Sequence, residues 1–337
     1  MFEYILKRIL LFIPTLFLIT AISFGISRLA PGDPAAAKAA AGADGSLSGN
    51  NAVNEKTIEL IRKQWNLDKP VWQQYLIWTT NIFKLDFGTS FQDSRPITEK
   101  FVERIPITLL MNILAIILSY SIAVPLGIYS ATHQGNFLDK LSTFFIFALY
   151  SLPTFWIGTM GITFLCNPEY VSWFPSGNIR SINFDASWGF LEKLTDYASH
   201  LVLPMIVYTY GSFAYISRQM RSGMLEVIRQ DYIRTARAKG LPEHIVIFKH
   251  AVRNSLIPII TLLAGILPAL IGGSVIIETI FSIPGMGKLS FESLIARDYP
   301  MIMAIFTVSA VMTLVGILVA DILYSVVDPR IAYGKKS

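Results

Sequence analysis

Ionisable side chains are what the long apolar stretches of this chain lack. Six of them, Ile9–Ser27, Ile105–Tyr129, Leu141–Cys166, Leu201–Ser217, Leu256–Ile277 and Met301–Ala320, contain no Asp, Glu, Lys, Arg or His. Carriers driven by protons or ions keep such groups within the membrane despite their cost, so this pattern disfavours an ion-coupled carrier. Nucleotide-loop, HExxH and serine-elbow patterns are missing too, which leaves the chain without an evident catalytic group or energy source. The fragment Gly285–Lys288 resembles the end of a phosphate loop, but Ser282 stands where the first glycine belongs and Leu289 where Ser or Thr belongs. Cysteine is represented once, by Cys166, which excludes an internal disulfide and reads as a small apolar filler.

Hydrophobic residues are abundant at 53%, and only 15% of the 337 residues are charged, against ~25% in globular chains. Each of the six stretches approaches the ~20 residues needed to cross a bilayer as a helix. The expectation is an all-α integral membrane protein with six spans. The first apolar run exceeds a signal-peptide core and is read as an uncleaved anchor.

Orientation follows from Lys and Arg, which accumulate on the cytoplasmic side of short loops. With both termini inside, the cytoplasmic segments hold fourteen: Lys7, Arg8, Lys140, eight between Arg218 and Ser255, and Arg330, Lys335 and Lys336. The short outer loops hold only Arg180, Lys193, Lys288 and Arg297. The net charge of +5 is therefore a topology signal and calls for no nucleic acid.

The chain divides into an anchor span at 1–29, an extracytoplasmic linker and cap at 30–104, a five-span core at 105–330 and a tail at 331–337. A low-complexity run, Ala35–Gly49, reads as a flexible linker. Helical spacing follows over Val53–Trp65 and over the aromatic-rich Val71–Phe83, whose Trp72, Tyr75, Trp78 and Phe83 pack the cap or lie at the interface. Outer loops are expected at Asn167–His200 and from Glu278 through Pro300.

The densest signal is the basic segment 218–255. Within it, Asp231–Leu241 predicts a helix stopped by Gly240, then a second helix opened by Pro242, because glycine suits a helix C-terminus and proline a first turn. Two helices meeting at a corner form a plug for another protein. Within the spans, polar uncharged residues cluster at Asn112, Ser119, Tyr120 and Ser121 and at Tyr208, Thr209, Tyr210, Ser212, Tyr215 and Ser217; they fit either helix packing or a wet passage. Gly265, Pro268, Gly272 and Gly273 weaken the fifth span and suit close packing or a gate.

Eight motifs in order carry a resemblance: Arg28–Pro34, Phe87–Phe91, Arg95–Thr98, Ser151–Phe155, Asp231–Gly240, His250–Asn254, Glu278–Gly287 and Asp328–Arg330. Together they resemble the B-type permease subunit of the peptide/nickel family of ABC importers. That resemblance implies the type I ABC importer permease architecture, with the corner as its EAA loop. Here Arg234-Thr235-Ala236 fills the triplet, so the family's general glutamate is absent, and Arg253 stands at the later proline.

The implied function is transport without catalysis, in the bacterial cytoplasmic membrane. Arg234, Thr235, Ala236, Gly240 and Leu241 would contact an ATPase, while Asn112, Tyr208, Tyr210, Ser212 and Gly272 are candidates to line the passage. Implied partners are a homologous second permease, two cytoplasmic ATPases that carry the ATP and Mg, and an extracytoplasmic solute-binding protein. Di- or oligopeptides are the expected cargo, with a nickel chelate or another small solute as the alternative. A non-transporting scaffold for a cytoplasmic ATPase is the reading from another class.

Overall fold

A computed structural model describes residues 2–29, 33, 35, 36, 39, 55–266 and 270–327. The described residues are helix, turn and loop, with one isolated bridge between Thr89 and Pro96. In chain order the helices are α1 (Phe2–Leu29), α2 (Glu55–Gln64), α3 (Val71–Phe83), α4 (Ile97–Thr132), α5 (Phe137–Ser151), α6 (Thr154–Leu165), α7 (Phe190–Ile228), α8 (Asp231–Ala238) and α9 (Glu243–Ile245). A π-helix, Val246–Val252, then leads into α10 (Arg253–Ser255), α11 (Ile257–Ile266), α12 (Val275–Ile280), α13 (Met286–Ile295) and α14 (Tyr299–Val327).

Two compact units result, Met1–Pro106 with Leu289–Leu314 and Ile107–Lys288 with Val315–Ser337. In the first, α2 and α3 fall where the sequence predicts cap helices, while most of the linker lies outside the described residues. Tyr75 on α3 places its hydroxyl 3.0 Å from Thr20 Oγ1, and its ring 5.3 Å from that of Phe24. Thr20 lies seven residues short of Ser27, roughly 10 Å along α1 at 1.5 Å per residue. The second of these helices therefore lies beside the C-terminal half of the first predicted span. Trp65 stacks on Phe91 at 3.4 Å, and Tyr75 and Trp78 pack against Phe24, while Trp72 and Phe83 are exposed.

Asp298 holds the rest of this unit together. Its carboxylate caps α14 through the Met301 N–H at 3.3 Å and also accepts the Phe91 N–H at 3.0 Å and the Ser90 hydroxyl. Lys100 donates to Ser90 at 3.1 Å and pairs with Asp93 at 2.7 Å. A carboxylate buried to 1% exposure is tolerable here because donors surround it.

Three predicted spans appear as long apolar helices: Arg8–Arg28, Ile97–Thr132 and Tyr299–Val319. The predicted third span is instead a pair, α5 and α6, bent by 93°. Pro153 explains the break, since it cannot donate an N–H and disfavours helix at the preceding residue; Leu152 is extended at φ −86°, ψ 131°. The fourth span lies inside α7, which continues well beyond both of its ends. Its fifth neighbour is not one continuous helix among the described residues, since α11 ends at Ile266 and α12 begins at Val275.

The second unit has an apolar cluster at each end. Met111, Leu201, Val207, Tyr210, Ile277 and Phe281 form one. Ile216, Met220, Met224, Ile233, Ala236, Val246 and Ala251 form the other, mostly from apolar residues of the basic segment itself.

Candidate functional site

The corner is built by a helix stop that the local sequence dictates. Gly240 adopts φ +75°, its N–H reaches the Arg237 carbonyl at 2.9 Å, and the Leu241 N–H reaches the Ala236 carbonyl at 3.4 Å. This pair of bonds is a Schellman motif, which favours glycine at the left-handed position. Pro242 stands at the cap before α9 (φ −65°, ψ 143°), one place earlier than a first-turn proline, and the following segment is largely π-helical.

One face of α8 is anchored and the other is free. Ile233 (0% exposed) and Ala236 (7%) sit in the apolar cluster with Met220, Met224 and Val246. Arg234, Thr235, Gly240 and Leu241 are exposed, so Ala236 differs from the other four in packing inward. Arg237 grips Glu243 across the corner with two hydrogen bonds, Nε at 3.2 Å and NH2 at 2.6 Å. Its guanidinium holds the Glu243 carboxyl below the usual carboxylate range. Asn254 donates to the Tyr232 hydroxyl at 2.8 Å, tying α8 to α10.

The intramembrane candidates divide into two groups. Tyr208 donates to Asn112 Oδ1 at 2.7 Å, and Asn112 Nδ2 donates to the Leu270 carbonyl at 2.6 Å, beside Gly272. Four residues on from Tyr208, Ser212 lies 2.8 Å from Ser119. Asn112, Tyr208 and Ser212 thus belong to one seam joining α4, α7 and the interruption of the fifth span, while Gly272 lies exposed within that interruption. Tyr210 leaves this group, because its hydroxyl caps the Leu152 carbonyl at 2.7 Å, at the break between α5 and α6.

A further residue, Glu278, escapes the sequence reading, which ends the fifth span one position before it and assigns it to a loop. It lies on α12 and is 1% exposed. Its carboxylate accepts N–H groups from Ser274 (3.2 Å), Lys288 (2.8 Å) and Gly287, and the hydroxyl of Thr108. Thr108 Oγ1 in turn accepts the Met286 N–H at 2.8 Å. Glycines make room for this cage: a Cβ on Gly285 would collide with the Glu278 carboxyl, and one on Gly287 would lie 2.7 Å from Val275 N. The glycines that imitate a phosphate loop therefore enclose the chain's own carboxylate. A signal was present in the sequence, namely a lone acid flanked by Gly273, Gly285 and Gly287.

Residues 123–333 match the family of binding-protein-dependent transport system inner membrane components, and residues 1–112 match the N-terminal part of binding-protein-dependent transport system membrane components. The chain is 40% identical to the oligopeptide transport system permease protein AppB of Bacillus subtilis over 334 residues, 99% of this chain and 100% of that one. It is 34% identical to the dipeptide transport system permease protein DppB of Escherichia coli K12 over 349 residues, covering 99% and 100%. Similarity to DppB of Lactococcus lactis is 36% over 332 residues, covering 98% and 99%.

Proposed function

The chain belongs to the family of binding-protein-dependent transport system inner membrane components, and from that premise we propose that it is one permease half of an ATP-driven peptide importer. It is an integral inner-membrane subunit of an ABC transporter, and transport rather than catalysis is its task. A second, homologous permease would complete the passage, two cytoplasmic ATPases would bind ATP and Mg, and an extracytoplasmic binding protein would deliver the cargo. Both termini would be cytoplasmic. Peptides are the favoured cargo because the relatives above are named for oligopeptides and dipeptides.

The observation that carries this reading is the two-faced corner. Exposed Arg234, Thr235 and Leu241 would meet the ATPase, while Ile233 and Ala236 transmit its displacement to Met220 and Met224 at the base of α7. Packed interiors move as units and do not deform smoothly. A push on α8 is therefore passed to α7, which carries Tyr208 and Ser212 in the polar seam. The interrupted fifth span, held by Asn112 through the Leu270 carbonyl, is the element the seam would release or clasp.

Uptake into vesicles holding the whole complex, ATP and the loaded binding protein tests the cargo. Labelled di- or oligopeptide is expected to accumulate and to be displaced by unlabelled peptide. Displacement by a nickel chelate and not by peptide would move the chain to the alternative cargo, and assembly without any uptake would favour the scaffold.

A further inference from the structure

A cavity of about 100 Å³ opens where the predicted cytoplasmic ends of the second, third and fourth spans meet. Hydroxyls line it from Ser130, Ser142, Thr143 and Ser217, and so do the guanidinium groups of Arg218 and Arg221. Arg221 is held by Asp139, NH2 to Oδ2 at 3.1 Å, and that carboxylate also accepts the Ser130 hydroxyl and the Gly135 N–H at 2.9 Å. The acid is thus committed to fixing the site's shape. Arg221 Nε is buried and has no acceptor among the described residues, a cost that a bound acceptor would remove. Arg218 lies 5.2 Å over the Phe147 ring, with no ion pair among the described residues.

Two guanidinium groups against one carboxylate leave an excess positive charge in the pocket. That chemistry suits a phosphate group. The pocket is apolar on its other side, lined by Leu126, Ile146 and Phe147, and α5 continues the apolar surface with exposed Phe144 and Phe145. A ligand with a phosphate at one end and hydrocarbon at the other fits both halves, and basic pockets between helices on the cytoplasmic side bind lipid headgroups. We propose that this cavity is a site for the phosphodiester of an anionic phospholipid of the cytoplasmic leaflet. The proposal rests on the orientation given above.

Its test uses the whole complex in vesicles of phosphatidylcholine, alone or mixed with phosphatidylglycerol, followed by native mass spectrometry of retained lipid. Wild type and Arg218→Lys are expected to keep phosphatidylglycerol, and Arg218→Gln to keep roughly fivefold less, the effect of one basic residue at the membrane surface. Arg218 is exposed, so the substitution leaves the fold intact. Equal retention by Arg218→Gln, or retention of phosphatidylcholine as strong as that of phosphatidylglycerol, would overturn the site. Stripping of the lipid by inorganic phosphate would assign the pocket to a soluble anion and overturn it equally. An impermeant thiol reagent applied to Lys239→Cys in a Cys166→Ala background reads the orientation separately. Labelling from the cytoplasmic side alone supports it, and labelling from outside overturns the orientation and this proposal with it.

Discussion

Replacing Glu278 with alanine is expected to be the most damaging single change in the second unit. The substitution leaves the N–H groups of Ser274, Gly287 and Lys288 and the Thr108 hydroxyl without their acceptor inside a site that is 1% exposed. A buried donor left without its acceptor costs about 1–3 kcal/mol, so losing the acceptor of several at once is put at about 3–5 kcal/mol. For a domain of this size that lowers the unfolding midpoint by roughly 6–20 °C. Glu278→Gln keeps the shape but turns an NH2 group toward donors, and is expected to fall between wild type and alanine. Gly285→Ala should also destabilise, because its methyl meets the Glu278 carboxyl. In the double variant that collision is gone, so the two losses should add to less than their sum. Thermal unfolding of the detergent-purified chain checks all four. A midpoint for Glu278→Ala within about 1 °C of wild type, well under the shift set by a 1 kcal/mol change, would show that the cage does not hold this region.

Gly240→Val is expected to lower ATP-driven uptake roughly tenfold while leaving membrane insertion unchanged. The reason is backbone conformation, since no heavy atom lies within 4 Å of where its Cβ would be. A residue other than glycine at φ +75° costs about 1–2 kcal/mol, and β-branching adds to this. The stop between α8 and Leu241 would therefore be lost in much of the population. Asn tolerates the left-handed region, so Gly240→Asn should retain most of the uptake. Uptake by Gly240→Val equal to wild type would remove the corner from the coupling mechanism, and loss in both variants would locate the requirement in the glycine's small size at a contact.

Much of this fold was legible because its causes are local. Apolar runs and basic residues report membrane exposure directly, and Gly240 with Pro242 punctuates the chain wherever it sits. Val71–Phe83 is a helix with the predicted ends for the same reason. The misreadings arise where tertiary contacts decide. Pro153 was visible in the sequence, but hydropathy runs unbroken across it, so the 93° bend was hidden behind a uniform apolar stretch. Tyr210 looked equivalent to Tyr208, two residues away; on a helix that offset turns the side chain to another face, where it serves the Leu152 carbonyl. Glu278 is buried because flanking glycines and a threonine on α4, distant in sequence, converge on it, and no periodicity in its own segment announces that.

The account's central claim is that energy enters through the corner from partner ATPases and not through a group of this chain. The most direct measurement is peptide uptake into vesicles with a constant internal ATP supply before and after an uncoupler collapses the proton gradient. Uptake should be unchanged by the uncoupler and should vanish when ATP is withdrawn. Uptake that instead follows the proton gradient at constant ATP would contradict the account and restore an ion-coupled carrier.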